Sequence, residues 1–588
     1  MLKYRLKGGC INPNSKTPIK DYLRSLGITK VESFLAAPPK EDEISGRYLN
    51  DIDRCIDMLH ELFTTKQRIL LIVDCDVDGF TSASIFYRFF KGYYEDASIT
   101  YWLHEGKEHG IEQKKIPALD TFDAIVLPDA GSMQIEEQQW LLDNGKKVII
   151  IDHHNVTATL IRPNLVLVNN QNSPNFANKD LSGAGMVLKV IQLYGLKHPH
   201  LKWKANYFYD LAALGIIADC MDMRSLDNNY IVYQGLHNIQ NEMFKALLSH
   251  QQFKISDLSN PTKVDVAYYI APIINGVIRA GTQEEKELLF RGFIENPTED
   301  SIQTEYRGRE RNESFYAYVA RTAYNIKNRQ NTTKMKCFEF LCEKIESEGL
   351  DKNKVIAVIA SASDKVTVPQ TITGLIAMEL LKKYNRPVLV LRPRMDNGVL
   401  TYAGSGRAKE LDELPSFLQM VRDSDASVYG EGHACAFGAS ILATEYENFI
   451  NECNEKLKDV EFENDCVDVD VVFKDQRLNE KLLYEFANYA HIYGNSIPQP
   501  KIAIEATVTK NAINIMGADK TSVGIMIDGI KCVKFKDANL ASKFSTSDKL
   551  FRITLIGRPQ MSYWLGNASP QMMIDSIDVE PILTKTLF

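Results

Sequence analysis

Four short apolar runs, each closed by polar residues, limit what this chain can fold into more than any other feature. Arg68–Val73 (RILLIV), Ala124–Leu127 (AIVL), Lys147–Ile151 (KVIII) and Leu165–Val168 (LVLV) are almost wholly apolar, and Ser98–Leu103 is a further strand candidate. An unbroken apolar run reads as a strand buried on both faces, which is the pattern of a parallel sheet covered by helices. Thr81–Tyr94 and Gln134–Asn144, between the runs, carry apolar residues at helical spacing. The alternation predicts an α/β fold built on an open parallel sheet.

The chain has 588 residues, so roughly four domains are expected at about 150 residues each. The spacing predicts a helical lead-in over 1–65, with helices at Lys20–Leu26 and Leu49–Thr64. The first α/β lobe occupies 66–225. A helical connector follows over 226–350; helical spacing runs through Asp210–Ile217, Tyr230–Leu248 and Glu284–Gly292. A second α/β lobe is expected over 351–460, with strands at Val355–Ala360, Val388–Leu391 and Leu400–Ala403. Residues 461–588 are rich in short strands (VDVDVVF, KIAIEATVTK, VGIMID, LFRITLIG) and suggest a small barrel.

Charge excludes one class of function. With 68 Lys+Arg against 76 Asp+Glu the net charge is −8, which rules out a wholly basic nucleic-acid binder but not a local basic channel. No window of about 18 uninterrupted apolar residues exists, so no membrane span is expected. The start, MLKYRLKGGCINPN, carries no apolar secretory core. The ten Cys form no C-x-x-C pair, and the nearest two are Cys337 and Cys342. They read as free thiols of a cytoplasmic protein, against both a zinc site and a disulfide framework.

The chemistry lies where the acids fall. Asp74, Asp76 and Asp78 follow the first run directly; Asp129 follows AIVLP; Asp152, His153 and His154 follow KVIII; Asp219 ends LAALGIIAD. Ligands of open α/β sheets bind beyond the carboxyl ends of the strands, so three strands deliver acids to one crevice. Carboxylates that close together repel unless a cation lies among them. An oxygen-rich set with imidazole and no Cys suits Mg²⁺ or Mn²⁺ rather than Zn²⁺. Two such ions would clamp a phosphate for in-line attack. A single Asp after a strand is ordinarily a helix cap; one member of the Asp74–Asp78 trio is open to that reading, and Asp74 is the least secure of the three as a ligand.

In order and spacing, D-C-D-V-D-G, P-D-A-G-S, D-H-H-N and A-D-C-M-D-M resemble motifs I to IV of the DHH phosphoesterase superfamily, and Ser182–Gly185 (SGAG) resembles its Gly-containing helix start. The resemblance implies metal-ligand roles for Asp74, Asp76, Asp78, Asp129, His153 and Asp219. It makes His154 a brace or phosphate contact, with Asp152 orienting the histidines. Some members carry a His where Ile72 stands here. Further along, Ala271–Gly281 (APIINGVIRAG), Gly404–Arg407 (GSGR) and Gly430–Gly438 (GEGHACAFG) resemble segments of the RecJ exonucleases of that superfamily, the last being a Gly-rich loop with Glu431 in place of a Gly. They imply phosphate or nucleotide contacts by Arg279, Ser405, Arg407, Gly432 and His433. The family's W-H before the G-x-x-A helix start is replaced by Val368-Pro369, ahead of Gln370 and Gly374. Its Arg after the second strand is absent, and Lys107 is the substitute candidate. Tyr493–Pro500 (YGNSIPQP) and Tyr563–Ile574 (YWLGNASPQMMI) resemble parts of the RecJ oligonucleotide-binding barrel, where Tyr563 and Trp564 either stack bases or pack the core.

The implied architecture is α/β: a DHH catalytic domain and a DHH-associated domain joined by helices, plus a C-terminal OB-like β-barrel. The implied activity is a single-strand-specific 5′-to-3′ DNA exonuclease that releases 5′-mononucleotides with two Mg²⁺ or Mn²⁺ ions, in DNA repair and recombination. Expected partners are single-stranded DNA and, by the resemblance alone, a single-strand-binding protein or helicase; a monomer is expected. Two alternatives remain: a DHH phosphodiesterase of short oligonucleotides or cyclic dinucleotides, and a non-catalytic replication scaffold.

Overall fold

The computed structural model describes residues 2–36, 46–106, 108–113, 115–116, 118–255, 257–295, 302–306, 309–396, 398–462, 466–474, 476–545, 549–564 and 567–582. The four apolar runs and Ser98–Leu103 form one parallel sheet: β1 (Arg68–Val73), β2 (Ser98–Leu103), β3 (Ala124–Pro128), β4 (Lys147–Asp152) and β5 (Leu165–Asn169), in the order β2-β1-β3-β4-β5. In register, Val73 lies beside Leu103, Leu71 beside Val126, Pro128 beside Ile151 and Asp152 beside Asn169. Strand order reverses between β1 and β3, and at such a switch point the loops part to open a crevice. Helix α1 (Val77–Tyr93) starts four residues before the periodicity predicts, because Asp76 caps it: its Oδ1 accepts from the Gly79 amide at 2.9 Å. Helices α2 (Gly183–Lys197) and α3 (Tyr209–Ala218) pack against α1 on one face of the sheet.

The helical connector departs from the reading in two places: a β-hairpin of Ile302–Tyr306 with Arg309–Glu313 interrupts it, and one expected helix is divided. Tyr230–Leu248 is two helices, Leu226–His237 and Glu242–His250. The Asn241 side chain accepts from the Phe244 amide and starts the second helix afresh. Beyond it come α4 (Ala271–Ala280), α5 (Gln283–Ile294), a hairpin of Ile302–Tyr306 with Arg309–Glu313, and the long α6 (Phe315–Ser347).

α6 carries the chain into the second lobe. Its first half (Phe315 to Ile326) is buried with the first lobe; its second half (Cys337 to Ile345) is buried with the second. The second sheet is β6 (Ile356–Ile359), β7 (Val388–Asp396), β8 (Val399–Arg407), β9 (Ser427–His433) and β10 (Ala436–Leu442), in the order β9-β10-β8-β7-β6. The Gly-rich stretch read as a loop is thus a β-hairpin turning at Ala434–Cys435. Gly430 and Gly432 lie within β9, where a Cβ on Gly430 would meet Leu418 Cδ1 at 2.9 Å. A Cβ on Gly432, at φ +130°, would sit 2.8 Å from the Ala436 carbonyl oxygen. Helix α7 (Thr373–Tyr384) covers β6 and β7 on one face. The second lobe has its own apolar cores, whereas one continuous core runs from Ile11 through the first lobe to Ile574.

The C-terminal part is a seven-stranded sheet: β11 (Val471–Lys474), β12 (Ile502–Thr509), β13 (Ile513–Met516), β14 (Ser522–Ile527), β15 (Ile530–Lys534), β16 (Leu550–Trp564) and β17 (Asn567–Pro581), in the order β11-β12-β16-β17-β15-β14-β13. VDVDVVF splits at Asp470: Cys466–Val469 leaves this sheet to pair in parallel with Lys3–Leu6. That N-terminal strand is absent from the sequence reading, and a four-residue run with no periodicity gives no signal for it. The lead-in is clamped there further by Lys7–Asp470 at 2.9 Å and by the Tyr22 hydroxyl donating to the Pro498 carbonyl at 2.6 Å. Predicted helices Lys20–Leu26 and Leu49–Thr64 are Pro18–Ser25 and Ile52–Thr64. Among the described residues no helix is long and apolar enough to cross a membrane, and all ten Cys are free.

One ion pair lies inside this framework. Lys189 on α2 donates to Asp227 at 2.6 Å, and both side chains are almost wholly buried. Lys189→Met leaves the Asp227 carboxylate buried beside Asn178 alone. We expect a loss of about 3–5 kcal/mol in urea unfolding, with Lys189→Met/Asp227→Leu recovering most of it.

Candidate active site

Every acid singled out from the sequence lies at the carboxyl edge of the first sheet. Asp74, at the end of β1, accepts from the Gly110 amide at 3.1 Å. Asp76 caps α1, so it is the member of the trio that does the capping, yet it also faces the cavity. Asp78, in the first turn of α1, accepts from the amides of Gly183 and Ala184 at 2.6 and 3.0 Å. The SGAG segment therefore aims a helix N-terminus at this carboxylate. Two glycines make the approach possible. A Cβ on Gly183 would lie 2.4 Å from Asp129 Oδ1, and one on Gly215 would lie 2.2 Å from Asp78 Oδ1. Asp129 follows β3 in the left-handed region, at φ +73°. This conformation costs a non-glycine residue about 1–2 kcal/mol, and here it turns the carboxylate inward.

His153 stands at the centre. Its Nε2 is 3.2 Å from Asp129, 3.5 Å from Asp219 and 3.8 Å from Asp78. Asp152 serves the pair from behind: it accepts from the amides of Ser132, His153 and His154 and from His154 Nδ1 at 2.7 Å. Ligand atoms of three overlapping groups lie within 4.8 Å of one another: Asp74, Asp76 and Asp129; Asp78, His153 and Asp219; and Asp129, Asp152, His153 and His154.

The electrostatics of the cluster are those of a cation site. Burial, then the neighbouring Asp76, pushes Asp74 up to about 8. Burial, then Asp78, does the same to Asp219. Asp129 is driven well above the ordinary carboxyl range by burial and then by Asp78, Asp76 and Asp74, and Asp78 is also raised by burial. Burial pushes the His153 imidazole down and leaves it neutral, the form that ligates metal. Asp152 is the exception. Burial would raise it, but the hydrogen bond and charge of His154 hold it below the usual range, and that same bond lifts His154 to about 9. Asp129 Oδ1 is buried with no hydrogen-bond partner. Stacked carboxylates, a neutral imidazole and an orphaned oxygen fit divalent metal.

Opposite this edge stands the second lobe, and the two enclose a cavity of about 720 Å³. Asp74, Asp76, Asp152 and His154 line one wall; Ser405, Arg407, Gly432 and Glu431 line the other, and Arg279 joins them from the last turn of α4. Among the described residues neither Arg279 nor Arg407 has a carboxylate partner. Arg279 and Arg407 line the same cavity, and burial, then the charge of Arg279, lowers the Arg407 guanidinium. Two unpaired guanidinium groups in one cavity are a ready site for a phosphate. Ser405 Oγ lies 2.9 Å from Thr373 Oγ1, and a Cβ on Gly374 would lie 2.6 Å from Arg407 Nη2. His433, exposed at the end of β9, is not on the cavity wall. Lys107 lies outside the described residues, as do the side chains of Tyr563 and Trp564. Sequence reasoning missed Thr373, Tyr429 and His109 as lining residues; only tertiary packing brings them in.

A β2-β1-β3-β4-β5 sheet with this carboxylate–imidazole cluster at its switch point defines the class of the DHH phosphoesterases. The DHH family, N-terminal domain, matches residues 68–216, and the RecJ OB domain matches residues 469–576. YorK of Bacillus subtilis (strain 168), a prophage-derived protein carrying the name of a single-strand DNA-specific exonuclease, is 31% identical over 584 residues, covering 98% of each chain. The single-stranded-DNA-specific exonuclease RecJ of the same organism is 23% identical over 529 residues, 88% of this chain and 62% of that one. The crystal structure of RecJ from Thermus thermophilus in complex with Mn²⁺ matches with a TM-score of 0.70 at 18% identity, covering 99% of this chain and 80% of that one. The chain belongs to the RecJ family of DHH exonucleases.

The raised carboxyls set a pH dependence. Such a group stabilises the fold below its ordinary value of 3.8, and that stabilisation is lost as pH rises through about 8. Metal takes the place of those protons. The rise in Tm on adding Mn²⁺ should therefore be small near pH 5 and grow through about pH 8, as thermal melts with and without the ion would read.

Proposed function

We propose that this chain is a single-strand-specific 5′-to-3′ DNA exonuclease that hydrolyses the terminal phosphodiester and releases 5′-mononucleotides, acting in DNA repair and recombination. One observation carries the reading: a carboxylate–imidazole cluster and an arginine pair face each other across one cavity between two α/β lobes. The name carried by YorK and RecJ supports the same substrate.

In this reading Asp74, Asp76, Asp78, Asp129, His153 and Asp219 hold two Mg²⁺ or Mn²⁺ ions. What the bound ions supply is charge neutralisation at the scissile phosphate and activation of water. Arg279, Ser405 and Arg407 grip phosphate on the far wall, which fixes the strand against the acids. His154, held protonated by Asp152, sits on the cavity wall as a cationic donor toward phosphate oxygen. Asp152 positions both histidines and touches no substrate. The crevice admits one strand, so selectivity comes from sterics, and the grip on an acidic protein is local and salt-sensitive. The reading divides the chain at 1–65, 66–225, 226–350, 351–460 and 461–588, with the last part as the nucleic-acid-binding domain. It makes the protein a cytoplasmic monomer, served by a single-strand-binding protein or helicase.

The test is an end-labelled single-stranded oligonucleotide of about 30 nucleotides with Mn²⁺ or Mg²⁺, with and without chelator, against a blunt duplex control. Mononucleotides should leave from the 5′ end of the single strand only, and chelator should stop them. Asp129→Ala should lower kcat by about 10³-fold or more, since it removes a shared ligand and the charge it balances. Asp152→Asn should cost about 10–100-fold, appearing as weaker metal affinity. Turnover of dinucleotides without cleavage of the long strand would replace this reading with the short-oligonucleotide phosphodiesterase.

A further inference from the structure

A second cavity, of about 560 Å³, lies away from the carboxylates. Its walls are the last turns of α1, the turn before α3, Gln240 between two connector helices and Ile294 at the end of α5. It shares no lining residue with the cavity between the lobes. Asp78 stands in the first turn of α1, and Arg88 follows about 15 Å further along the helix axis. Nothing in the proposed reaction uses this place.

Three cations line the cavity, Arg88, Lys91 and Lys204, and among the described residues no carboxylate does. Arg88 and Lys91 are three residues apart on α1 and so share a stripe of it, whereas Phe86, Phe89 and Phe90 are buried in the core. Lys91 donates to the Ala97 carbonyl and Lys204 to the Gly92 carbonyl, each at 2.7 Å. These bonds hold both ammonium groups at the end of α1 without cancelling their charge. Arg88 is half-buried, with its guanidinium 6.0 Å from the Phe208 ring, and among the described residues it has no hydrogen bond or ion pair. The acids whose charge reaches it, Asp210 and Glu242, are engaged elsewhere. Asp210 accepts from the amides of Leu211, Gln240 and Asn241, and Glu242 pairs with Lys245 at 2.8 Å.

A guanidinium withdrawn from water with no acceptor is costly until a ligand supplies one. A phosphate monoester is the matching acceptor: it carries about −1.5 to −2 charge at neutral pH and offers paired oxygens to an arginine. A diester within a strand carries a single charge and matches three cations less well. Tyr207, exposed yet lining the cavity, adds a ring face on which a base can stack. The volume is that of a site for one small molecule.

We propose that this cavity is a second nucleotide site: it takes a free nucleoside 5′-monophosphate, with the phosphate on Arg88 and Lys91 and the base on Tyr207. Such a ligand has the chemistry of the product in the reading above, but Arg88, Lys91 and Tyr207 form the site whether or not the chain cleaves DNA.

The experiment photo-crosslinks the Mn²⁺-loaded full chain with an azido derivative of deoxyadenosine 5′-monophosphate and maps the labelled peptides by mass spectrometry. The peptide carrying Tyr207 should be labelled. Deoxyadenosine 5′-monophosphate should protect it at a concentration at least about tenfold below that of deoxyadenosine, and an oligonucleotide with no terminal phosphate should protect poorly. Arg88→Gln should raise the protecting concentration of the monophosphate at least about tenfold, with a thermal melt to show that the variant folds. Lys91→Gln, expected to raise it at least about threefold, carries the test should Arg88→Gln not fold. Label confined to the cavity between the lobes overturns the proposal. So does Tyr207 labelling that neither variant weakens, or protection by deoxyadenosine or the oligonucleotide as good as that by the monophosphate.

Discussion

Mutual repulsion among buried carboxylates is the constraint on which the rest of this structure depends. Asp74, Asp78, Asp129 and Asp219 are each held above the ordinary carboxyl range because burial strips their solvation and their neighbours are acids. Left to itself such a group costs stability, and the surrounding fold is arranged to hold it. The amides of α2 point at Asp78, Gly183 and Gly215 give up their side chains to let acids approach, and Asp129 takes a left-handed backbone to join them. Protons relieve these charges below about pH 8, and divalent cations among the carboxylates would relieve them above it.

The second lobe completes the site by opposite means. Where the first wall concentrates negative charge, the second concentrates unpaired positive charge at Arg407 and Arg279. The two walls are complementary, since carboxylates alone repel a phosphate and guanidinium groups attract one. The lobes have separate cores and meet through α6, half of which is buried in each.

Much of the catalytic lobe is legible from local pattern. RILLIV, AIVL and KVIII announce buried parallel strands, and acids at their ends must gather at one edge because parallel strands point the same way. Other features escape because they are not local. Lys3–Leu6 becomes a strand only by pairing with Cys466–Val469, more than 450 residues away in sequence. The hairpin at Ser427–Leu442 hides behind glycines that read as turn residues. Asn241 breaks an apparently continuous helix through a cap that periodicity does not weigh.

The sequence alone determined the elements and the kind of chemistry, because hydrophobic period fixes secondary structure and carboxylates after strands fix where charge collects. Tertiary structure alone decided which Asp caps α1, which imidazole is buried and neutral and which is protonated, and that Arg279, some 130 residues from Arg407, shares its cavity. Distances between walls and the side a strand presents arise from packing across the whole chain, and no local stretch of sequence encodes them.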